Sequence, residues 1–364
     1  MEGRPAGARY SLVPGDPREH KREWLGLAER NLPFAIQGRE ARYAKYYEDN
    51  PLGPAKFVLA RDGTTDAFVG MAAIFPTQLR VFGELVPAAV AGDFAVDDGH
   101  RGLGPAIPLQ RAAVAALGEH GLACAFGYPN KDSEPITRRV GYKDLGPLTR
   151  YVKVLKSRVV VDQYVHSREL ARLASGVSRV VVDPVLSLVS RERLKRRPSA
   201  FRVERPTAFD DRFSGIWETL FQQGTITSER NPELLNWRYE TGREDGIYSI
   251  LALVGPDEQV AAYAVYRMRN DIRHVVDIVF QQSPEVLDAL LAELIRDARH
   301  EGAVAISVIH LGEPSLLTQR LRAFEFGHRE ENSHLHVYVP GESELEKALV
   351  ERANWHFLNA DADL

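Results

Sequence analysis

The chain has 364 residues, 26% of them charged and 44% hydrophobic, and its formal net charge is −4. This composition is typical of a globular protein and argues against nucleic acid or a membrane surface as the main partner. Because the length exceeds that of one typical domain, we expect two domains.

The only cysteine, Cys124, lies in the apolar run 122–126. One cysteine excludes an internal disulfide and fits a reducing compartment, so we expect a cytoplasmic protein with a buried structural thiol. Residues 1–17 have no apolar core, and no later stretch approaches the roughly 18 apolar residues of a membrane span. We therefore expect neither a signal peptide nor a transmembrane helix.

The first hundred residues read as helices followed by strands. Helix formers fill residues 18–31 and 39–49, and Asn50-Pro51 ends the second run. The next part of the chain has four extended runs, separated by turn residues: 55–61, 67–76, 78–85 and 86–96. Their short connections predict antiparallel pairing.

The last of these strands runs into a basic turn with two glycines, and a helix pattern begins directly after it. The turn reads Arg101-Gly102-Leu103-Gly104-Pro105-Ala106. Glycines allow a tight turn close to a ligand, the amides at a helix start attract anions, and arginine suits phosphate. Pro105 and Pro108 lack an N–H, so four residues are left as the expected amide donors: Leu103, Gly104, Ala106 and Ile107.

Beyond the helix, residues 122–128 predict a short buried strand, which Pro129-Asn130 ends. Ser133 opens a brief helix, Gly141-Tyr142 follows it, and residues 151–155 form another strand-like run.

The turn has the pattern R-x-x-G-x-A, which resembles the acyl-CoA pyrophosphate loop of the GNAT acyltransferase superfamily. A second landmark, Asn130 followed by Gly141-Tyr142, stands at the interval seen in that superfamily, and the element order agrees. The resemblance implies an α/β (α+β) fold, with a mixed, mostly antiparallel twisted sheet flanked by helices, and acetyl-CoA or another acyl-CoA as donor.

The second half of the sequence echoes the first. Tyr47-Glu48 recurs as Tyr239-Glu240, and the strand that carries Asp93 recurs as residues 275–280 with Asp277. We interpret this as a second copy of the fold. The expected division is an acyl-CoA-binding domain over 1–156, a connector over 157–200, a degenerate GNAT-like domain over 201–340 and a C-terminal tail over 341–364.

The two copies differ at the loop. In place of the glycine turn the second copy has Gln281-Gln282-Ser283-Pro284-Glu285. Ser283 and Pro284 make an ordinary helix start, while Glu285 would repel phosphate there. We expect that the second copy binds no CoA and instead completes the fold or shapes the acceptor cleft.

The resemblance also implies roles for individual residues. Backbone amides of the strand Phe94, Ala95 and Val96 would polarise the thioester carbonyl. Asp93 is the candidate base, with a structural carboxylate as the alternative, which Asp277 favours. The superfamily's usual tyrosine acid falls on Thr137, so Tyr142 and Tyr128 are the substitutes, with core packing as their alternative.

The resemblance also implies which residues contact the rest of the acyl-CoA. The loop residues 101–106 would hold the pyrophosphate, and Asn130 and Ser133 would bind the pantetheine arm unless they serve the turn. His334 and His336 alternate on one strand without further ligands at metal-binding spacing, so we expect no metal.

These residues predict an acyl-CoA-dependent N-acyltransferase, most simply an N-acetyltransferase, acting on a primary amine of a small molecule, amino sugar or peptide. A non-catalytic CoA- or partner-binding protein is one alternative, because Thr137 replaces the tyrosine. An aminoacyl-tRNA-dependent transferase is another, although the loop at Arg101 argues against it. The sequence leaves the oligomeric state open.

Overall fold

The structure is a computed structural model, and it describes most of the chain. The described residues are 9–32, 38–102, 104–156, 201–216, 225–240, 246–312, 315–341 and 343–361. The predicted connector, residues 157–200, and one predicted loop residue, Leu103, lie outside the described residues.

Eight α-helices occur in the described part of the chain. They are α1 (Lys21–Asn31), α2 (Arg39–Tyr43), α3 (Ala106–Glu119), α4 (Glu134–Val140), α5 (Pro232–Tyr239), α6 (Pro284–His300), α7 (Leu316–Ala323) and α8 (Glu344–Val350). A π-helical turn, Ala44–Glu48, continues α2. None of the described helices is both long and apolar enough to span a membrane.

The strands occur singly and in consecutive groups between these helices. They are β1 (Tyr10–Gly15), β2 (Lys56–Asp62), β3 (Phe68–Val81), β4 (Glu84–Val96), β5 (Ala125–Gly127), β6 (Lys143–Val154), β7 (Arg202–Glu204), β8 (Ile226–Ser228), β9 (Ser249–Val254), β10 (Val260–Arg269), β11 (Ile272–Phe280), β12 (Ala305–Leu311), β13 (Gly327–Tyr338) and β14 (Phe357–Leu358).

All described strands join one mixed sheet, whose main order is β1-β2-β3-β4-β5-β13-β6-β12-β11-β10-β9-β7. Most neighbours are antiparallel, while β4 with β5 and β11 with β12 are parallel. The predicted fold class, a mixed and mostly antiparallel sheet flanked by helices, is confirmed.

The two halves exchange strands at the centre of this sheet. Strand β6 of the first half lies between β12 and β13 of the second, and β13 lies between β5 and β6 of the first. Lys153 on β6 adds a bond across the halves, from its buried Nζ to the Phe324 carbonyl at 2.9 Å. The predicted separation into 1–156 and 201–340 stays a prediction, but the strands of the two segments form a continuous sheet.

Two of the differences from the sequence prediction lie in the first strands. Residues 78–85 are not a separate strand, because the turn falls at Phe82-Gly83, where both residues have positive φ, and β3 runs without a break to Val81. The edge strand β1 was missed, since Tyr10–Gly15 contains Pro14 and Gly15 and shows little apolar alternation.

The predicted helix starts in the second half are confirmed. Ser283 caps α6 by accepting a bond from the Val286 amide at 3.4 Å, with Pro284 at the first helical position. The apolar face of α6, including Leu287 and Leu291, is buried against the sheet.

The strand exchange generates a stability prediction at Leu335. This β13 residue is fully buried and belongs to the cluster that contains Trp24, Phe75 and Phe126 of the first half. We expect Leu335→Ala to lower the free energy of unfolding by about 2–5 kcal/mol through the cavity it leaves. Urea unfolding followed by tryptophan fluorescence should show one transition, and a separate, unshifted first-half transition would contradict the exchange.

Candidate active site

The candidate site is a cavity of about 190 Å³ where β4 and β5 diverge. The two strands pair at Ala89 with Ala125 and at Val90 with Phe126, and then separate. Gly127 keeps the junction narrow, since a Cβ built there would lie 2.8 Å from the Ala91 carbonyl oxygen. The lining residues are Leu32, Ala91, Gly92, Asp93, Phe94, Gln110, Gly127, Tyr128, Pro129, Asn130, Ser133, Thr137, Tyr142 and His336.

A β-bulge shapes the β4 wall of the cavity. Met71 pairs with Ala95 while Ala73 pairs with Gly92, so β4 carries an extra residue between them. Asp93 in the bulge has a φ of 45°, a conformation that aspartate rarely adopts. Bulges are frequent beside active sites because they redirect backbone and side-chain groups.

Asp93 uses both carboxylate oxygens in the interior. Arg42 Nη2 donates to Oδ1 at 2.8 Å, and the Tyr47 hydroxyl donates to Oδ2 at 2.9 Å. Trp24 Nε1 in turn donates to the Tyr47 oxygen at 2.7 Å. Burial and the neighbouring Asp93 raise the pKa of Tyr47 well above its ordinary value, which keeps this hydroxyl a donor.

The second half repeats this arrangement around Asp277. Arg230 Nε lies 3.0 Å from both carboxylate oxygens, and the Tyr239 hydroxyl lies 3.2 Å from Oδ2. Because the second half lacks the glycine loop, the shared Asp–Arg–Tyr contact fits a role in the fold. The catalytic assignment of Asp93 stays a prediction.

The loop before α3 is open to solvent at its glycines. Gly102 and Gly104 have φ of 77° and 111°, and a Cβ at either meets nothing within 4 Å. Packing therefore does not require glycine there, but the backbone conformation favours it. Arg101 donates from Nε to the Val96 carbonyl at 2.9 Å and pairs with Asp98, leaving its side chain more than half exposed.

Helix α3 begins after Pro105 with no side-chain cap. The Leu109 amide bonds to the Pro105 carbonyl at 3.0 Å, so the amides of Ala106 and Ile107 come before that bond in the helix. Amides at this position have no intrahelical partner, which makes them available to an anion.

Tyr142 is buried, and its hydroxyl forms no hydrogen bond with any residue that the structure describes. The ring lies beside Tyr338, and burial raises the pKa of the Tyr142 hydroxyl above its ordinary value. A protonated, unpaired hydroxyl in the wall of a cavity is suited to bond a ligand. Its catalytic role stays a prediction.

Asn130 and Ser133 line the cavity and also form the turn before α4. Asn130 Oδ1 accepts from the Ser133 amide at 2.9 Å and from the Ser133 hydroxyl at 2.7 Å. These contacts fit the turn-forming alternative, and the predicted contact with pantetheine is still untested.

Among the described residues, the second half contributes one lining residue, His336 on β13, whose place in the cavity the sequence prediction missed. Its Nδ1 lies 3.0 Å from the Thr137 hydroxyl oxygen. Sequence alone offered no signal for this contact, because it depends on the insertion of β13 beside β5.

His336 belongs to a cluster of three potential metal-ligating groups. One atom each of Glu134, Asp144 and His336 falls within 4.8 Å of the others. Arg138 Nη2 already lies 2.8 Å from Glu134 Oε1 and 2.6 Å from Asp144 Oδ2. This guanidinium therefore offsets one of the two negative charges of the cluster.

The corresponding cleft of the second half, between β11 and β12, is filled by the chain itself. Strand β14 pairs with the end of β12, Leu358 opposite His310 and Phe357 opposite Leu311. Asp361, fully buried, forms an ion pair with Arg230, whose Nη2 lies 2.8 Å from Asp361 Oδ1. Within the predicted tail, residues 357–361 therefore pack onto the second half. They fill the position that the cavity occupies in the first half.

Residues 24–144 match the sequence model described as an acetyltransferase (GNAT) domain. The match covers a third of the chain, including the loop and most of the residues that line the cavity, and it supports acyl transfer as the general class of reaction. No significant match to a curated protein was found.

Solved structures share the fold over nearly the whole chain. A probable N-acyltransferase of unknown function from Enterococcus faecalis V583 is 14% identical, with a TM-score of 0.63 over 91% of this chain and 73% of its own. GCN5-related N-acetyltransferases from Kribbella flavida and Anabaena variabilis ATCC 29413 are 18% and 13% identical, with TM-scores of 0.59 and 0.60. They cover 91% and 90% of this chain and 71% and 73% of their own.

The filled cleft generates a pH prediction. Burial lowers the pKa of His356 to about 4, and the ring lies beside the buried His310. In the unfolded chain the His356 imidazole takes up a proton below about pH 6.5, whereas in the folded chain it does so only near pH 4. The free energy of unfolding should therefore decrease as the pH drops from about 6.5 to about 4. We expect His356→Gln to flatten the fall by up to about 1.4 kcal/mol per pH unit.

Urea unfolding at several pH values measures this slope. The exposed His300 provides the control, since His300→Gln removes an imidazole outside the cleft and should leave the slope unchanged. An unchanged slope in the His356 variant would show that this histidine does not govern acid stability.

Proposed function

We propose that the protein is an acyl-CoA-dependent N-acyltransferase, most simply an N-acetyltransferase, whose donor site lies in the first half. The observation that carries this proposal is the cavity between β4 and β5, with the open loop of Gly102 and Gly104 next to it. A thioester arm in the cavity would place its pyrophosphate at the start of α3.

The loop supplies the groups that a pyrophosphate needs. The amides of Gly104, Ala106 and Ile107 lie at the positive end of α3, and the half-exposed Arg101 adds a permanent charge. Pro105 and Pro108 have no N–H and so reduce the number of amides that can donate to the pyrophosphate. Arg101 would therefore contribute a larger share of the binding free energy than in a loop where every residue has an amide.

Acyl transfer also needs polarisation of the carbonyl and a proton for the departing sulfur. The bulged strand Phe94, Ala95 and Val96 lies beside the cavity and would present a backbone amide to the carbonyl oxygen. The Tyr142 hydroxyl would supply the proton for the sulfur, since Tyr142 lines the cavity and burial keeps its hydroxyl protonated.

The acceptor that this chemistry favours is a primary amine of a small molecule, amino sugar or peptide. Asp93 beside the cavity would attract the ammonium group, although Arg42 already offsets its charge. Asp93→Asn separates the two possible roles, because loss of turnover with unchanged acetyl-CoA affinity indicates catalysis, whereas retained turnover indicates a structural carboxylate.

One observation favours a non-catalytic CoA-binding protein as the second candidate. Thr137 stands where the resemblance places a tyrosine acid, and both oxygens of Asp93 accept hydrogen bonds in the interior. Acetyl-CoA binding without transfer to any amine would favour this candidate.

Donor binding is tested by Gly104→Glu. A glutamate at this open position places a negative charge at the start of α3, so we expect acetyl-CoA affinity to fall at least tenfold in titration calorimetry. The matched control is Gly83→Glu in the β3–β4 turn, because Gly83 also has a positive φ and a Cβ there would meet nothing within 4 Å.

The control should bind as the parent does. If the parent binds no acetyl-CoA, the donor assignment fails, and if both variants lose affinity equally, the effect comes from backbone strain.

The leaving-group role is tested by Tyr142→Phe. The change removes only a hydroxyl without a described partner, so we expect thermal stability to hold while kcat falls about 10²-fold or more. Release of the CoA thiol from acetyl-CoA with a panel of amines measures kcat, and Tyr338→Phe on the neighbouring ring is the control. An unchanged kcat would return Tyr142 to a packing role.

A further inference from the structure

The second half reaches the candidate active site through one side chain. His336 on β13 pairs with Gly127 on β5, and its ring is fully buried in the wall of the cavity. The residue therefore lies beside the point where β4 and β5 separate, although it is far from both strands in sequence.

His336 stands between a hydroxyl and a carboxylate. Its Nδ1 lies 3.0 Å from Thr137 Oγ1, and its Nε2 lies 3.9 Å from Asp144 Oδ1. Nε2 forms no hydrogen bond within the described part of the chain. The Thr137 hydroxyl donates to the Glu134 carbonyl at 2.9 Å, and His336 Nδ1 is a second acceptor within its reach when that nitrogen carries no hydrogen.

This geometry provides a candidate proton acceptor other than Asp93. Both oxygens of Asp93 are held by Arg42 and Tyr47, whereas a neutral imidazole always keeps one ring nitrogen without hydrogen. With hydrogen on Nε2, which faces Asp144, Nδ1 is left to accept from the Thr137 hydroxyl.

We propose that Thr137, His336 and Asp144 form a proton relay for the acceptor amine, so that the second half completes the active site of the first. Thr137 is the group of the relay that meets the substrate. His336 acts through it, and Asp144 stabilises the imidazolium that forms. This inference rests on the proposed acyl transfer.

The proton balance follows from the reaction. The ammonium group gives one proton to Thr137 Oγ1 as the Thr137 proton passes to His336 Nδ1. The amine nitrogen then bonds to the thioester carbon, and the carbon–sulfur bond breaks with its electron pair on sulfur. Tyr142 gives its proton to the sulfur and takes in exchange the second proton of the former ammonium nitrogen. The proton held by His336 leaves to solvent, so both protons lost by nitrogen are accounted for.

The charges around the ring set the expected pH dependence. Burial lowers the pKa of His336, Asp144 and Glu134 raise it, and Arg138 and His334 lower it. The net shift is downward, so the imidazole is neutral and able to accept a proton at neutral pH. Activity should fall as the pH drops through this lowered pKa, where the ring becomes protonated.

The kinetic test compares His336→Asn, Thr137→Val and the double variant, with acetyl-CoA and a panel of amines. Each single change should lower kcat about 10²-fold or more while acetyl-CoA affinity stays within about threefold. The double variant should be no slower than either single one, because the residues act as a unit. The acid limb of the pH profile should disappear in His336→Asn.

A matched control on the same strand is His328→Asn, which removes an exposed imidazole outside the cavity. It should keep kcat and the pH profile of the parent. A merely structural role of His336 would lower stability and leave the acid limb in place.

A second measurement needs no activity. Nuclear magnetic resonance of ¹⁵N-labelled histidine in the full chain should show His336 titrating below its ordinary pKa, and Asp144→Asn should move that titration further down. If acetyl-CoA fails to bind the parent protein, the proposed acyl transfer is overturned. The NMR titration of His336 needs no acetyl-CoA and therefore still tests the contact between His336 and Asp144. The relay itself is overturned if Asp144→Asn leaves the titration unchanged, or if His336→Asn retains kcat within about threefold.

Discussion

The exchange of β6 and β13 is the constraint on which the rest of the structure depends. Each of these strands pairs on both sides with strands of the other half, so neither half closes its sheet alone. The exchange joins the two halves into one sheet and carries His336 to the wall of the first-half cavity. A feature of the fold thereby determines the composition of the candidate site.

Within this shared sheet the two halves use the same buried contact and differ in what fills the adjacent cleft. An aspartate with an arginine and a tyrosine occurs in both, as Asp93 and Asp277. In the first half the strands diverge around an open cavity, and in the second half β14 and Asp361 occupy the space. The repeated contact fits a role in the fold, whereas the open cleft and the glycine loop occur in the first half alone among the described residues.

Local sequence patterns predicted several elements of the fold and of the candidate site. The glycine loop, the helix after it and the cap at Ser283 follow from conformational preferences of a few adjacent residues, and the structure has each of these elements where it was expected. The contact of Thr137 with His336 was not predictable, because it joins residues far apart in sequence through strand order. The same holds for Asp93. The sequence placed this residue on the strand before the loop, but it gave no sign of the donors Arg42 and Tyr47, which come from α2 and the turn after it.

The central claim is that only the first half holds an acyl-CoA, in the cleft between β4 and β5. Hydrogen–deuterium exchange of the full chain with and without CoA tests it most directly. We predict slower exchange at residues 94–96 and 104–107, and unchanged exchange at residues 278–287 and 309–311. Protection of the second set, or of neither set, would contradict it.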